Sequence, residues 1–193
     1  MRYCSLDLET TSLTPHPEHV LMLSAVIEDT ARASGTAVER LEHFTRFVRP
    51  PEPMRGDAYA LAMNGWILDI ISGRDVAKNA RGHAVVSTSE LWEEFSAWLS
   101  ERFGEGNRVV VAGKNVAGFD LQFFPPEIKR RFHNRALDPG SMFVDWSASA
   151  PPSLGDLLAR FGASDAVAHD AYDDAMDVIR VIRAGTNGYA RAP

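Results

Sequence analysis

Tyr3-Cys4-Ser5-Leu6-Asp7-Leu8-Glu9-Thr10-Thr11 is an apolar run that ends in two carboxylates and a threonine pair. Successive side chains of a strand leave opposite faces, so a strand over Tyr3–Glu9 sets Asp7 and Glu9 on one face and Leu6 and Leu8 on the other. Two like charges on one face cost energy unless something positive sits between them. Thr10-Thr11 turns the chain at once, which aims the pair at the C-terminal edge of a sheet, where α/β ligand sites form. Taken alone, the stretch also reads as a solvated strand end.

Outward from that strand the pattern is β-β-β-α-α-β-α-β-α-α, a mixed α/β domain. Val20–Glu28 and Glu42–Val48 read as two further strands of an antiparallel meander, joined by a small-residue turn over Thr30–Thr36. Pro50-Pro51-Glu52-Pro53 breaks the pattern. Helical spacing follows over Ala58–Ile71, weakened at Asn64-Gly65, and over Ser89–Phe103. In the second of these, Leu91, Trp92, Phe95, Trp98 and Leu99 form one apolar face, suited to a core or to a partner. Arg108–Ala112 is a β-branched strand. Gly113–Phe124 reads as a lead into a helix halted by Pro125-Pro126, and Met142–Trp146 as a fifth strand. Ser153 caps a helix to Phe161 that stops at Gly162, and Ala171–Ala184 is the last helix. Residues 1–185 make one domain and Thr186–Pro193 a frayed tail.

The 193 residues fit a single domain. With 45% apolar residues there is material for a core, which excludes global disorder. A net charge of −6 argues against a protein that coats duplexes through phosphate neutralisation. It leaves room for an acidic nuclease whose site charge is offset by cations. The single cysteine, Cys4, excludes an intramolecular disulfide framework and reads as inert core. No apolar run approaches the ~20 residues of a membrane helix, and the N-terminus enters a strand without a signal-peptide layout. A cytoplasmic protein is expected.

Two further blocks carry acids. Asn115-Val116-Ala117-Gly118-Phe119-Asp120 follows the Val109-Val110-Val111 strand. Asn115 is a candidate helix cap, and Asp120 falls in the first turns of that helix, where an acid also suits the helix dipole. Gly113-Lys114-Asn115 is no phosphate loop, because the upstream glycine and following Ser/Thr are absent. The third block is His169-Asp170-Ala171-Tyr172-Asp173-Asp174. Residues five apart on a helix point about 140° from each other. His169 and Asp174 can therefore meet at one site only if His169 precedes the helix, with Asp170 as its cap. Asp173 and Asp177 read as solvent-facing. Carboxylates from three remote segments suit a pair of hard divalent cations, and a histidine beside them supplies a proton acceptor. The residues point to a metal-dependent phosphodiesterase.

The set resembles the DEDDh branch of the DnaQ-like 3′–5′ exonucleases. D-x-E-T-T is met at Asp7, Glu9, Thr10 and Thr11, N-x-x-x-F-D at Asn115, Phe119 and Asp120, and H-x-A-x-x-D at His169, Ala171 and Asp174. The resemblance runs from Asp7 to Asp174 in the family's order. It implies a ribonuclease H-like fold with a five-stranded mixed sheet flanked by helices. It also implies two Mg²⁺ or Mn²⁺ ions on Asp7, Glu9, Asp120 and Asp174, with His169 as general base. By analogy of place, Leu13, Leu61 and Asn64 would pack against or hydrogen-bond the terminal nucleotide, and Thr10, Asn115 and Phe119 complete the substrate set. Phe119 and Phe123 could stack a base, but they read first as core. Three features depart from the family pattern: Ser12 stands where relatives carry glycine, Leu137-Asp138-Pro139-Gly140 replaces an Asp-Thr, and Ala62-Met63-Asn64-Gly65 replaces a His-Gly stretch. Ser12 is thus expected to occupy a turn that glycine makes more cheaply.

Lys129, Arg130, Arg131 and Arg135 form a basic cluster that suits either substrate phosphates or a solvated helix face. The expected activity releases nucleoside 5′-monophosphates from the 3′ end of single-stranded DNA or short RNA, alone, as a homodimer, or beside a polymerase. The alternative is an idle module of the same fold that binds nucleic acid or a polymerase without cleaving. Clustered like charges have no physical purpose in such a module.

Overall fold

The computed structural model describes residues 1–32, 36–162 and 170–186. Its sheet has five strands: β1 (Arg2–Thr10), β2 (Val20–Asp29), β3 (His43–Arg49), β4 (Ala84–Ser87) and β5 (Val110–Ala112). They lie in the order β4-β3-β2-β1-β5. β1–β2 and β2–β3 pair antiparallel, whereas β3–β4 and β1–β5 pair parallel. The helices are α1 (Ala58–Met63), α2 (Gly65–Ile71), α3 (Thr88–Phe103), α4 (Pro126–Lys129), α5 (Pro139–Met142), α6 (Leu154–Phe161) and α7 (Ala171–Gly185). Among the described residues, no helix is long and apolar enough to cross a membrane.

The alternation in β1 sorts the core into two layers. Cys4, Leu6 and Leu8 pack with α3 and with residues 116–132. Tyr3 belongs to the opposite layer with α2, α6 and α7. On that face the Ser5 hydroxyl donates to the Ala175 carbonyl at 2.7 Å, which pins α7 over β1. The α3 face read from the sequence is core: Leu91, Trp92, Phe95 and Leu99 are buried, and Trp98 packs on Phe44 and Phe95.

Helix boundaries follow local chemistry. Ser87 and Glu90 form a reciprocal capping box at α3, as Ser153 and Asp156 do at α6, and Gly162 ends α6 in the left-handed conformation. The weak point at Asn64-Gly65 is a real break that divides Ala58–Ile71 into α1 and α2.

Three expectations fail. Met142–Trp146 is not a strand, because the Asp138 carboxylate accepts from Gly140 N–H and starts α5 instead. The apolarity there serves helix packing, with Phe143 against Phe161. The fifth strand is β4, whose Val85-Val86 pair was too short to stand out, and the β5 edge meets only single bridges at Phe132 and Leu137. Gly113–Phe124 is not a helix but a run of turns ending in a 3-10 turn over Asp120–Gln122. Asn115 does not cap it; its backbone is left-handed (φ 55°), as the tight turn requires. Ser12 is not in the left-handed region, so its turn makes no demand for glycine; its hydroxyl donates to Asp57 at 2.7 Å. The Thr30–Thr36 turn lies partly, and the tail from 187 wholly, outside the described residues.

Candidate metal centre

β5 stops early, at the level where Ala112 pairs with Ser5. The chain beyond it runs on beside β1, and this delivers the second acid. Gly113 lies so close to β1 that a Cβ would sit 2.7 Å from the Leu6 carbonyl oxygen. Gly118 and Phe119 N–H both bond to the Asn115 carbonyl and close the turn. Asp120 then accepts from Leu8 N–H at 3.1 Å, its carboxyl buried beside Asp7.

The third acid arrives on α7. Asp170 caps the helix by accepting from Tyr172 N–H at 2.9 Å, which places Asp174 in the first turn, where the helix dipole favours a negative charge. Since α7 lies over the Ser5 face of β1, Asp174 meets Asp7 and Glu9. One carboxylate oxygen from each of the three lies within 4.8 Å of the others. A β-bulge between Glu9 and Thr10 marks the end of the β1–β2 ladder at the same point.

The electrostatics of this cluster are unfavourable without a cation. Asp7 is held well above the ordinary carboxylate range, first by burial and then by Asp120, Asp174 and Glu9. Glu9 is pushed up to about 8 by burial and Asp174, against the neighbouring Asn64 amide. Asp174 rises to about 7 through burial and then Asp177, Asp170 and Asp173. Asp120 rises to about 7 through burial, with the Leu8 N–H among the contacts opposing the rise. The buried Asp174 Oδ1 has no hydrogen-bond partner. Hard oxygen donors, mutually repelling and one of them unsatisfied, fit a divalent cation.

Arg81 is a neighbour the sequence did not reveal. It reaches Asp170 at 3.3 Å and Asp173 at 2.8 Å, and its guanidinium lies over the Tyr172 ring. Asp173 is thus paired, and Asp177 is buried against Arg180 rather than facing solvent. His169 lies outside the described residues.

A cavity of about 190 Å³ adjoins Glu9 and holds four of the substrate candidates: Thr10, Leu13, Asn64 and Phe119. Asn64 donates to the Thr10 carbonyl at 2.9 Å, while its own Oδ1 is buried without a partner. Tyr59 and Met63, absent from the candidate set, also line it. Their i, i+4 spacing on α1 was the available signal. Leu61 and Asn115 do not line this cavity: Leu61 packs towards Gly56, and Asn115 is spent on its turn against Gly118. A larger cavity, about 640 Å³, lies around Ser12, His16 and Asp57 and contains none of the acidic set.

This chain belongs to the exonuclease family, which it matches over residues 4–182. Its five-stranded mixed sheet with flanking helices is the ribonuclease H-like fold of the DnaQ-like exonucleases. It is similar to the nuclease domain of 3′hExo, described as a DEDDh family member bound to rAMP. That match has a TM-score of 0.63 at 15% identity and covers 98% of this chain and 92% of that one. It is also similar to cell-death related nuclease 4 (TM-score 0.62, 15% identity, 96% and 64% covered). A third similar structure is the E. coli exonuclease I complex with single-stranded DNA in its zinc-bound form (TM-score 0.62, 16% identity, 96% and 40% covered). The chain thus spans about two fifths of exonuclease I and under two thirds of the nuclease 4 chain. No curated protein matches it significantly in sequence.

Proposed function

We propose that residues 1–185 form a metal-dependent 3′–5′ exonuclease domain of the DEDDh type, releasing nucleoside 5′-monophosphates from single-stranded DNA or short RNA. The supporting observation is the convergence of Asp7, Glu9 and Asp174 within 4.8 Å, with Asp120 buried alongside. Asp7, Glu9, Asp174 and Asp120 would together hold two Mg²⁺ or Mn²⁺ ions. Bound there, the pair supplies Lewis-acid stabilisation to the attacking and leaving oxygens of the phosphodiester.

The remaining work falls to side chains of this chain. His169, next to the Asp170 cap, takes the proton from the attacking water. Leu13 and Tyr59, 60% and 66% exposed at the rim of the small cavity, offer apolar surface to a terminal base. Asn64 Oδ1, buried and unpartnered, accepts from a sugar hydroxyl. Phe119 also lines this cavity. Relatives crystallised with single-stranded DNA or rAMP support this substrate class.

The test is digestion of a 3′-labelled single strand. Wild-type protein with Mg²⁺ or Mn²⁺ releases the labelled mononucleotide, and EDTA stops the release. Full activity in Asp7→Ala or Asp174→Ala would overturn the metal assignment.

A further inference from the structure

Acids outnumber bases 26 to 20 in this chain, and several of its surface arginines are matched. Arg46, Arg74, Arg81, Arg102, Arg180 and Arg183 all stand in ion pairs. Arg2, Arg40, Arg49, Arg55 and Arg160 also lack an acid partner among the described residues but are scattered along the chain, whereas the stretch from Arg108 to Arg135 gathers several bases around one cleft. None of Arg108, Lys129, Arg130, Arg131 and Arg135 pairs with an acid among the described residues. Two of them have local roles: Arg131 is spent on Ser100 and the Gly104 carbonyl, and Lys129 donates to Gln122 at 2.7 Å.

Arg108 and Arg130 are exposed, with no side-chain hydrogen bond or ion pair among the described residues, and with Lys129 and His133 they line a cleft of about 270 Å³. The acid on α4, Glu127, lines a different groove, towards Trp92 and Ser96. An acidic protein that leaves its acids out of one cleft has made a place for a polyanion.

The cleft shares a wall with the metal centre. Ala117 and Leu121 line it, while Phe119, between them in the chain, lines the cavity beside Glu9. Gln122 bridges this wall by donating to the Ala117 carbonyl at 2.7 Å and accepting from Lys129. The Asp120 turn therefore separates a cation-seeking site from an anion-seeking one.

We infer that the Arg108–Arg130 cleft holds backbone phosphates of the single strand upstream of its 3′ end. This rests on the nuclease reading above and adds a second anchoring point to it. The contacts are to phosphate, so they carry no base preference.

The experiment measures binding of a fluorescein-labelled oligothymidylate by anisotropy across a salt series, in EDTA so that no cleavage occurs. Each phosphate contact contributes about 0.7 to the slope of log K against log salt for a single strand, so Arg108→Ala/Arg130→Ala should lower the slope by about 1.4. Arg74→Ala/Lys78→Ala, which removes the same net charge from an acid-paired patch, should leave the slope at the wild-type value. A double variant with the wild-type slope would overturn the cleft while leaving the nuclease reading standing. Equal loss in both double variants would reduce the effect to net charge and also overturn the cleft. A wild-type protein that neither binds the strand nor shortens it with Mn²⁺ would remove both.

Discussion

Glu9→Gln should make the metal-free protein more stable, and the gain should depend on pH. Glu9 is buried among other carboxyls, which raises it from 4.5 to about 8 in the folded chain. The unfolded chain ionises near the lower value, so between the two the folded state binds the extra proton. Stability then falls as pH rises from about 4.5 to about 8, and the loss is complete above that. At 1.36 kcal/mol per pH unit, the cost at high pH is on the order of 5 kcal/mol. Glutamine keeps the shape and removes the charge, and it also relieves Asp7 and Asp174. Urea denaturation in EDTA should show the variant several kcal/mol more stable above pH 8 and level with wild type near pH 4. With Mn²⁺ in place of EDTA, the metal should stabilise wild type strongly and Glu9→Gln little. A variant no more stable than wild type above pH 8, or a gain independent of pH, would refute the claim that these carboxylates are held together against their mutual repulsion.

Other perturbations test the scaffold and the chemistry separately. His169→Ala should lower the turnover rate by about 10²–10⁴-fold while thermal denaturation stays at wild type; a loss under threefold would remove it as general base. Removing Arg183 by Arg183→Met leaves the buried Glu28 carboxylate without its partner at 2.5 Å, and urea denaturation should show a cost of about 3–5 kcal/mol. Ser5→Ala, which unties α7 from β1, should cost about 1 kcal/mol by the same measurement. Gly113→Ala should disturb activity as well as stability. Its methyl would meet the Leu6 carbonyl oxygen, which cannot move without shifting the strand that carries Asp7; metal affinity equal to wild type would count against this coupling.

The acidic set was legible because strand alternation and helix capping are local rules. Asp7 and Glu9 share a face by the pleat alone, and Asp170 fixes the start of α7 and so the place of Asp174. Asp120 was found by motif, but its carrier was misread. Two glycines and the left-handed Asn115 turn a helical apolar pattern into a loop, and the reason lies in the close approach of Gly113 to β1, which no local pattern records. The fifth strand was misplaced for a related reason. Phe143 and Val144 are apolar enough for a strand, yet Asp138 and Pro139 commit the chain to a helical turn first. β4 has four residues and pairs only with β3, so its evidence is almost wholly tertiary. Arg81 escaped because its partners, Asp170 and Asp173, lie far away in the chain.

The most direct test is an anomalous difference map from crystals grown in manganese. Density between the carboxylates of Asp7, Glu9 and Asp174, with a second peak towards Asp120, is the expected result. An ordered site in which those three side chains stand apart with no peak between them would contradict it.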